Sequence, residues 1–155
     1  MDPVTLVLSY VMKAETMGVY TKQEFTHGFE AMQCNTVSDM KKKIPTLREY
    51  LRQDGKFKDL YRYVFLFLRE PGLKNVALEY AITMWRLLLK ERCSFLEEWV
   101  EFMETQSKVK AVTKDTWNML LDFIEHTNSD LTNYEDDGAW PVMIDNFVEF
   151  MKNKK

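Results

Sequence analysis

The sequence predicts an all-α protein. Apolar residues recur at three- and four-residue steps along most of the 155 residues, and strand-like alternation between hairpin turns is absent. A hydrophobic content of 46% with 14% aromatics excludes disorder. No apolar run approaches the roughly 18 residues of a membrane span. A chain of this length fits one compact domain, and no repeat, low-complexity segment or long linker marks a boundary. A single compact helical domain over residues 1–155 is therefore expected, soluble, monomeric and without membrane contact.

The opening "MDPVTLVLSYVMK" begins with Asp2 and Pro3 instead of a basic segment and has no small-residue cleavage site, so it reads as a core helix and not a signal peptide. Val4, Val7, Leu8 and Val11 line one of its faces while Leu6, Tyr10, Met12 and Met17 line others. Such a helix must be covered on more than one side, either as a central element or as the wall of a groove. Thr21 and Glu24 form a capping-box start for a second helix, on which Phe25, Phe29 and Met32 share a face. "NTVSDMKKKIPTLREYLRQDG" predicts a short helix, a break near Pro45, and another helix burying Leu47, Tyr50 and Leu51 that Gly55 ends.

From Phe57 to about Leu68 the pattern is clearest. Phe57, Leu60, Tyr61, Val64, Phe65 and Leu68 make one continuous stripe. Tyr63 and Phe67 lie off it, which implies a second packing surface or an exposed aromatic, and Pro71 and Gly72 end the helix. A further helix, roughly Leu78 to Leu89, carries Met84, Trp85, Leu87 and Leu88. Another from Ser94 carries Phe95, Leu96, Trp99, Phe102 and Met103. Thr113 caps a helix with Trp117, Leu120, Leu121 and Ile124 on one face. After an acidic loop, Pro141 suits the first turn of a last helix with Ile144, Phe147, Val148 and Met151 inward.

Charge is unevenly placed. Between Asp115 and Glu149 there are nine carboxylates and no Lys or Arg, which leaves 15 acids against 21 bases elsewhere although the whole chain carries −3. Such a face repels nucleic acid and attracts basic protein surfaces, or is simply a solvated acidic surface. "MKKKIP" and "KFKDLYR" place Lys41, Lys42, Lys43, Lys56 and Lys58 near aromatics, but the cluster is short and the isoelectric point is about 5.5, so a solvated face is expected and no nucleic acid.

Enzyme chemistry finds little to stand on. A helix, an acidic loop and a helix have the outline of an EF-hand, so EF-hand-like helix pairs are expected, but without functional calcium loops. Counting from Asp130, positions three and five are Thr132 and Tyr134, position six is Glu135 instead of Gly, and position twelve is Pro141 instead of Glu. His27 and His126 have no nucleophile motif around them. Acids in a polar loop such as "YEDDG" stay ionised instead of acting as an acid–base pair. Glycine-rich phosphate loops are absent. Two cysteines, Cys34 and Cys93, with no CxxC pair and no clustered histidines fit a reducing compartment and argue against structural zinc. No cofactor, metal or catalytic residue is assigned. Ten methionines and a first helix apolar on several faces leave large apolar side chains in surplus, which would suit a groove for a partner's helix or terminus.

"FTHGFEAMQC", "FKDLYRYVFLFLREPG", "KDTWNMLLDF" and "LTNYEDDGAWPVMIDNFVEF" closely resemble the DCN-like family (defective in cullin neddylation, the PONY domain), and the resemblance covers essentially the whole chain. It implies an all-helical, non-catalytic co-ligase that binds the C-terminal winged-helix region of a cullin and the acetylated N-terminus of the neddylation conjugating enzyme, with a RING subunit of the ligase as a further partner. The family's cullin-binding Asp–Ala–Asp patch falls here on Asp115, Ala139 and Asp145, with Asn146 standing where neighbouring members often have a second acid. Asp145 lies in the first turns of its helix, where the dipole favours negative charge. The family's pocket for the conjugating enzyme falls on Leu8, Met12, Met17, Gly18, Tyr20, Phe67, Val76, Thr83, Met84 and Leu87, with Gly18 replacing a cysteine of some members. The family domain usually begins with additional helices, and this chain starts after them. Two alternatives stay open: a truncated paralogue that binds cullins without the conjugating enzyme and competes, and a calcium-independent EF-hand-like regulatory module. Cytoplasmic or nuclear residence, or both, is expected.

Overall fold

Three threonines start helices as their sequence context demands. Thr21 and Thr36 each accept the backbone N–H three residues on while Glu24 and Asp39 reach back to the cap N–H, so both are complete capping boxes. Thr113 accepts from Thr116 N at 3.1 Å. The computed structural model, which describes residues 1–136, 138 and 140–154, is all-α, with eight helices among the described residues: α1 (Val4–Val11), α2 (Lys22–Ala31), α3 (Val37–Arg52), α4 (Asp54–Leu68), α5 (Leu78–Leu89), α6 (Leu96–Thr105), α7 (Lys114–His126) and α8 (Val142–Lys154). The residues group into two compact units, one from Met1 to Arg69 and one from Glu70 onward.

In the first unit α1 is central, packing on α2, α3 and α4. Its buried residues are Leu6, Val7 and Ser9, whereas Val4, Leu8 and Val11, the face the apolar pattern singles out, are only half-buried. Ser9 is tolerated inside because its hydroxyl donates to Thr5 O at 3.0 Å and meets Tyr20 Oη at 2.8 Å. The second packing surface implied by Tyr63 and Phe67 exists. Phe67 is buried, its ring stacks on Tyr63 at 5.3 Å, and the Tyr63 hydroxyl donates to Ala14 O at 2.6 Å and Ser9 O at 3.1 Å. Burial pushes the Tyr63 phenol well above its usual pKa.

Three expectations fail here for local reasons. α3 runs unbroken through Pro45, because the capping box holds its first turn and both Pro45 and Lys41, whose carbonyl the ring leaves without a donor, are exposed to water. Gly55 does not end that helix: Gln53, at φ −79° and ψ 120°, breaks the chain and opens α4, with Gly55 in its first turn. Met17 is not on α1 but in an exposed turn closed by Thr16 and Val19, where Gly18 takes φ +73°.

The second unit holds together through aromatic rings. Trp85 of α5 stacks on Trp117 of α7 at 5.7 Å and meets Trp99 of α6 edge-on at 5.6 Å. Trp99 meets Phe147 of α8 edge-on at 5.1 Å. One feature escapes the helical pattern. β1 (Val76–Ala77) pairs antiparallel with β2 (Ala111–Val112), in the register Val76 to Val112, tying the segment before α5 to the segment before α7. Two residues per strand are too few for alternation to show in the sequence.

Gly28 marks where α2 approaches the end of α1: a Cβ there would lie 2.3 Å from Met12 Cγ and 3.2 Å from its Cα. Gly28→Ala therefore destabilises the protein by about 1–3 kcal/mol, read as an earlier urea midpoint with an unchanged slope. An unaltered midpoint would show that Met12 gives way freely.

Candidate functional site

The two acids of the predicted patch are placed by different devices. Asp115 is the second residue of α7, and the start of that helix is fixed on both sides of Thr113: upstream Val112 is buried in the pairing with Val76, downstream the cap holds the first turn. Its carboxylate is exposed at the positive end of the helix dipole. Asp145 stands one helix over, in the first turn of α8, and α8 packs against α7. Pro141 starts that helix, its carbonyl accepting Ile144 N at 2.9 Å and Asp145 N at 3.3 Å. Trp140 fixes the approach by meeting Phe123 of α7 edge-on at 5.4 Å. Next to buried Ile144, Asp145 is half-buried and accepts a hydrogen bond from Tyr134 Oη. The third predicted member, Ala139, lies outside the described residues, as does Asp137 of the acidic triplet.

The loop between α7 and α8 is tied to itself. Asn133 accepts from Asn128 N at 2.7 Å and donates to His126 O at 2.9 Å, so it satisfies one of the orphan carbonyls at the end of α7. Thr132 donates to Asp130 through both its N–H and its hydroxyl. Tyr134, which the sequence offers only as a failed calcium-ligand position, is the side chain that reaches the patch. An aromatic ring in an otherwise acidic, polar loop is the signal that could have singled it out. Glu125, Asp130, Glu135, Asp136 and Glu149 are exposed around the two helices, and Asp122 is half-buried. A groove of about 510 Å³ runs between α6 and α8, lined among others by Phe102, Gln106, Met143, Asn146 and Glu149.

The ten positions assigned to the conjugating-enzyme pocket divide between the units, Leu8, Met12, Met17, Gly18, Tyr20 and Phe67 in the first, Val76, Thr83, Met84 and Leu87 in the second. Met12, Phe67, Val76 and Met84 are buried, Leu8, Tyr20 and Leu87 half-buried, and Met17, Gly18 and Thr83 exposed. Met12 is packed beneath Gly28, and the Thr83 hydroxyl donates back to Glu79 O at 2.9 Å. A separate apolar cavity of about 570 Å³ lies within the first unit, lined among others by Tyr10, Val11, Tyr50, Tyr63, Leu66 and Phe67. Only Phe67 is common to this cavity and the predicted pocket.

Two side chains with potential for chemistry sit in defined surroundings. His126 Nδ1 lies 2.7 Å from Asp122 O in its own helix, and burial pushes the Cys93 thiol up to about 12, away from a reactive thiolate. Among the described residues no group of three or more His, Cys, Asp or Glu side chains could hold a metal ion, and no helix is long and apolar enough to cross a membrane. What the arrangement offers is a pair of positioned carboxylates on a rigid helical base.

A family model described as cullin binding matches residues 39–150, a span that contains Asp115 and Asp145 and all of α4 to α7. DCN1-like protein 4 of Homo sapiens is 39% identical over 152 residues, covering 98% of this chain and 52% of that protein. DCN1-like protein 5 of Homo sapiens is 36% identical over 149 residues, covering 96% and 62%. DCN1-like protein 3 of Xenopus tropicalis is 36% identical over 154 residues, covering 97% and 51%. The chain thus spans little more than half the length of these curated relatives. With the match running through both acidic helix starts, the chain belongs to the cullin-binding, DCN1-like family.

Proposed function

We propose that this chain is a non-catalytic scaffold of cullin neddylation. In this reading the acidic face of α7 and α8 docks on the C-terminal winged-helix region of a cullin, and a second surface of the chain receives the acetylated N-terminus of the neddylation conjugating enzyme. The RING subunit of the ligase completes the assembly, in the cytoplasm, the nucleus or both. The observation that carries the reading is the placement of Asp115 and Asp145 in the first turns of two packed helices, inside a stretch from Asp115 to Glu149 with no Lys or Arg. Rate enhancement then comes from proximity: holding the acceptor lysine near the charged enzyme turns a bimolecular encounter into an intramolecular one.

The two acids should differ in weight. Asp115 is exposed, so truncating it removes a rim ion pair worth about 0.2–1 kcal/mol. Asp145 is half-buried and already hydrogen-bonded, closer to the desolvated pairs whose loss costs about 2–5 kcal/mol. A second reading, a paralogue that holds the cullin without the conjugating enzyme and so competes, is favoured by the burial of Met12, Phe67, Val76 and Met84, which leaves fewer of the ten pocket positions open.

Charge reversal separates docking from folding. Asp115→Lys and Asp145→Lys each abolish calorimetric binding to a cullin C-terminal domain at concentrations that saturate the wild type, with helical circular dichroism intact. Wild-type affinity in either folded variant would refute the acidic docking face. Titration with the acetylated N-terminal peptide of the conjugating enzyme decides between the two readings: heat of binding is expected for the co-ligase, and cullin binding without peptide binding identifies the competitor.

A further inference from the structure

Asp145 is not a free surface acid. Its carboxylate accepts from the Tyr134 hydroxyl, and Tyr134 is itself held on three sides. Its ring meets Phe123 of α7 edge-on at 6.1 Å and 74°, the ammonium of Lys152, two turns along α8 from Asp145, lies 5.8 Å over the ring, and its N–H donates to Leu131 O at 3.2 Å. The residue before it is Asn133, whose side chain clamps the loop to the end of α7. Leu131 takes φ +60°, a left-handed conformation that a branched side chain adopts only where its surroundings fix it.

We propose that Tyr134 is a positioning residue for the docking face: it locks the Asp145 side chain in the rotamer that meets a basic group of the partner. The proposal rests on the reading of α7 and α8 as a cullin-docking surface. A carboxylate has two oxygens and about four lone-pair sites, so one phenol on Oδ1 leaves Oδ2 and a further lone pair for an ammonium or guanidinium. With the rotamer already fixed, the partner meets an ordered acceptor and less side-chain entropy is lost on binding. Tyr134 touches the acid and not the partner's charge, which separates its role from that of Asp115 and Asp145.

Tyr134→Phe removes the hydroxyl and keeps the ring. In the free protein, three-bond couplings at the Asp145 Cβ protons show one χ1 rotamer in the wild type and averaging in Tyr134→Phe, with helical circular dichroism intact. Binding to a cullin C-terminal domain weakens about three- to tenfold, the change that ordering one further side chain on binding corresponds to. That loss persists in an Asp115→Ala background and vanishes in an Asp145→Ala background, which a merely structural role would not produce. Equal rotamer behaviour in both proteins, wild-type affinity in Tyr134→Phe, or the same loss on top of Asp145→Ala overturns the proposal while leaving the docking face intact. A wild-type chain that does not bind the cullin domain overturns the docking reading and this one together.

Discussion

Four helices of the second unit share one core because their largest side chains interlock edge to face. Trp85, Trp99, Trp117, Phe123 and Phe147 come from α5, α6, α7 and α8, and each is almost wholly removed from water. Every ring contacts at least one ring from another helix, at centroid distances of 5.1 to 6.5 Å in edge-on, stacked and tilted pairs. Such pairs add about 0.5–1.5 kcal/mol each to what burial alone supplies, and they leave α7 and α8 little room to slide. Phe123 is the hinge of this arrangement, since it also meets Tyr134 and Trp140 of the segment between α7 and α8. The polar first turns of α7 and α8 are surface features, but apolar packing beneath them sets where they stand.

That division of labour explains how a charged face can be selective. Long-range attraction from nine carboxylates between Asp115 and Glu149 draws in any basic surface, and salt screens it over about 8 Å at physiological strength. Selection needs carboxylates in fixed places. Asp115 is placed by backbone devices, a strand pair and a threonine cap, while Asp145 is placed by Pro141 at its backbone and Tyr134 at its carboxylate. Under the proposed scaffold function such placement alone would raise a reaction rate, because orientation of two bound partners removes entropy from the encounter they would otherwise make in solution.

Much of this was legible in the sequence, and what was not has a physical reason in each case. Capping boxes read directly because the interacting groups are three residues apart and of fixed type, as at Thr21–Glu24. The stripe from Phe57 to Phe65 reads because one face of α4 is buried and the period is undisturbed. Pro45 misleads because its cost depends on whether the stranded carbonyl reaches water, which only the folded helix decides. Met17 misleads because periodicity continues across a turn that Gly18 makes possible. The β1–β2 pair and the Tyr134–Asp145 contact join residues 36 and 11 positions apart, Val76 with Val112 and Tyr134 with Asp145, by contacts that no local pattern encodes. Asp115 and Asp145 were singled out through family resemblance, whereas the contacts that orient them have no local signature in the sequence.

The central claim is that the starts of α7 and α8 form the docking face. Amide chemical-shift mapping of the isotopically labelled chain during titration with a cullin C-terminal domain tests it most directly. Shifts concentrated at residues 113–119 and 142–149, with the amides of α1 to α4 unmoved, are the expected result. Shifts concentrated on the first unit, with Asp115 and Asp145 unperturbed, would contradict it.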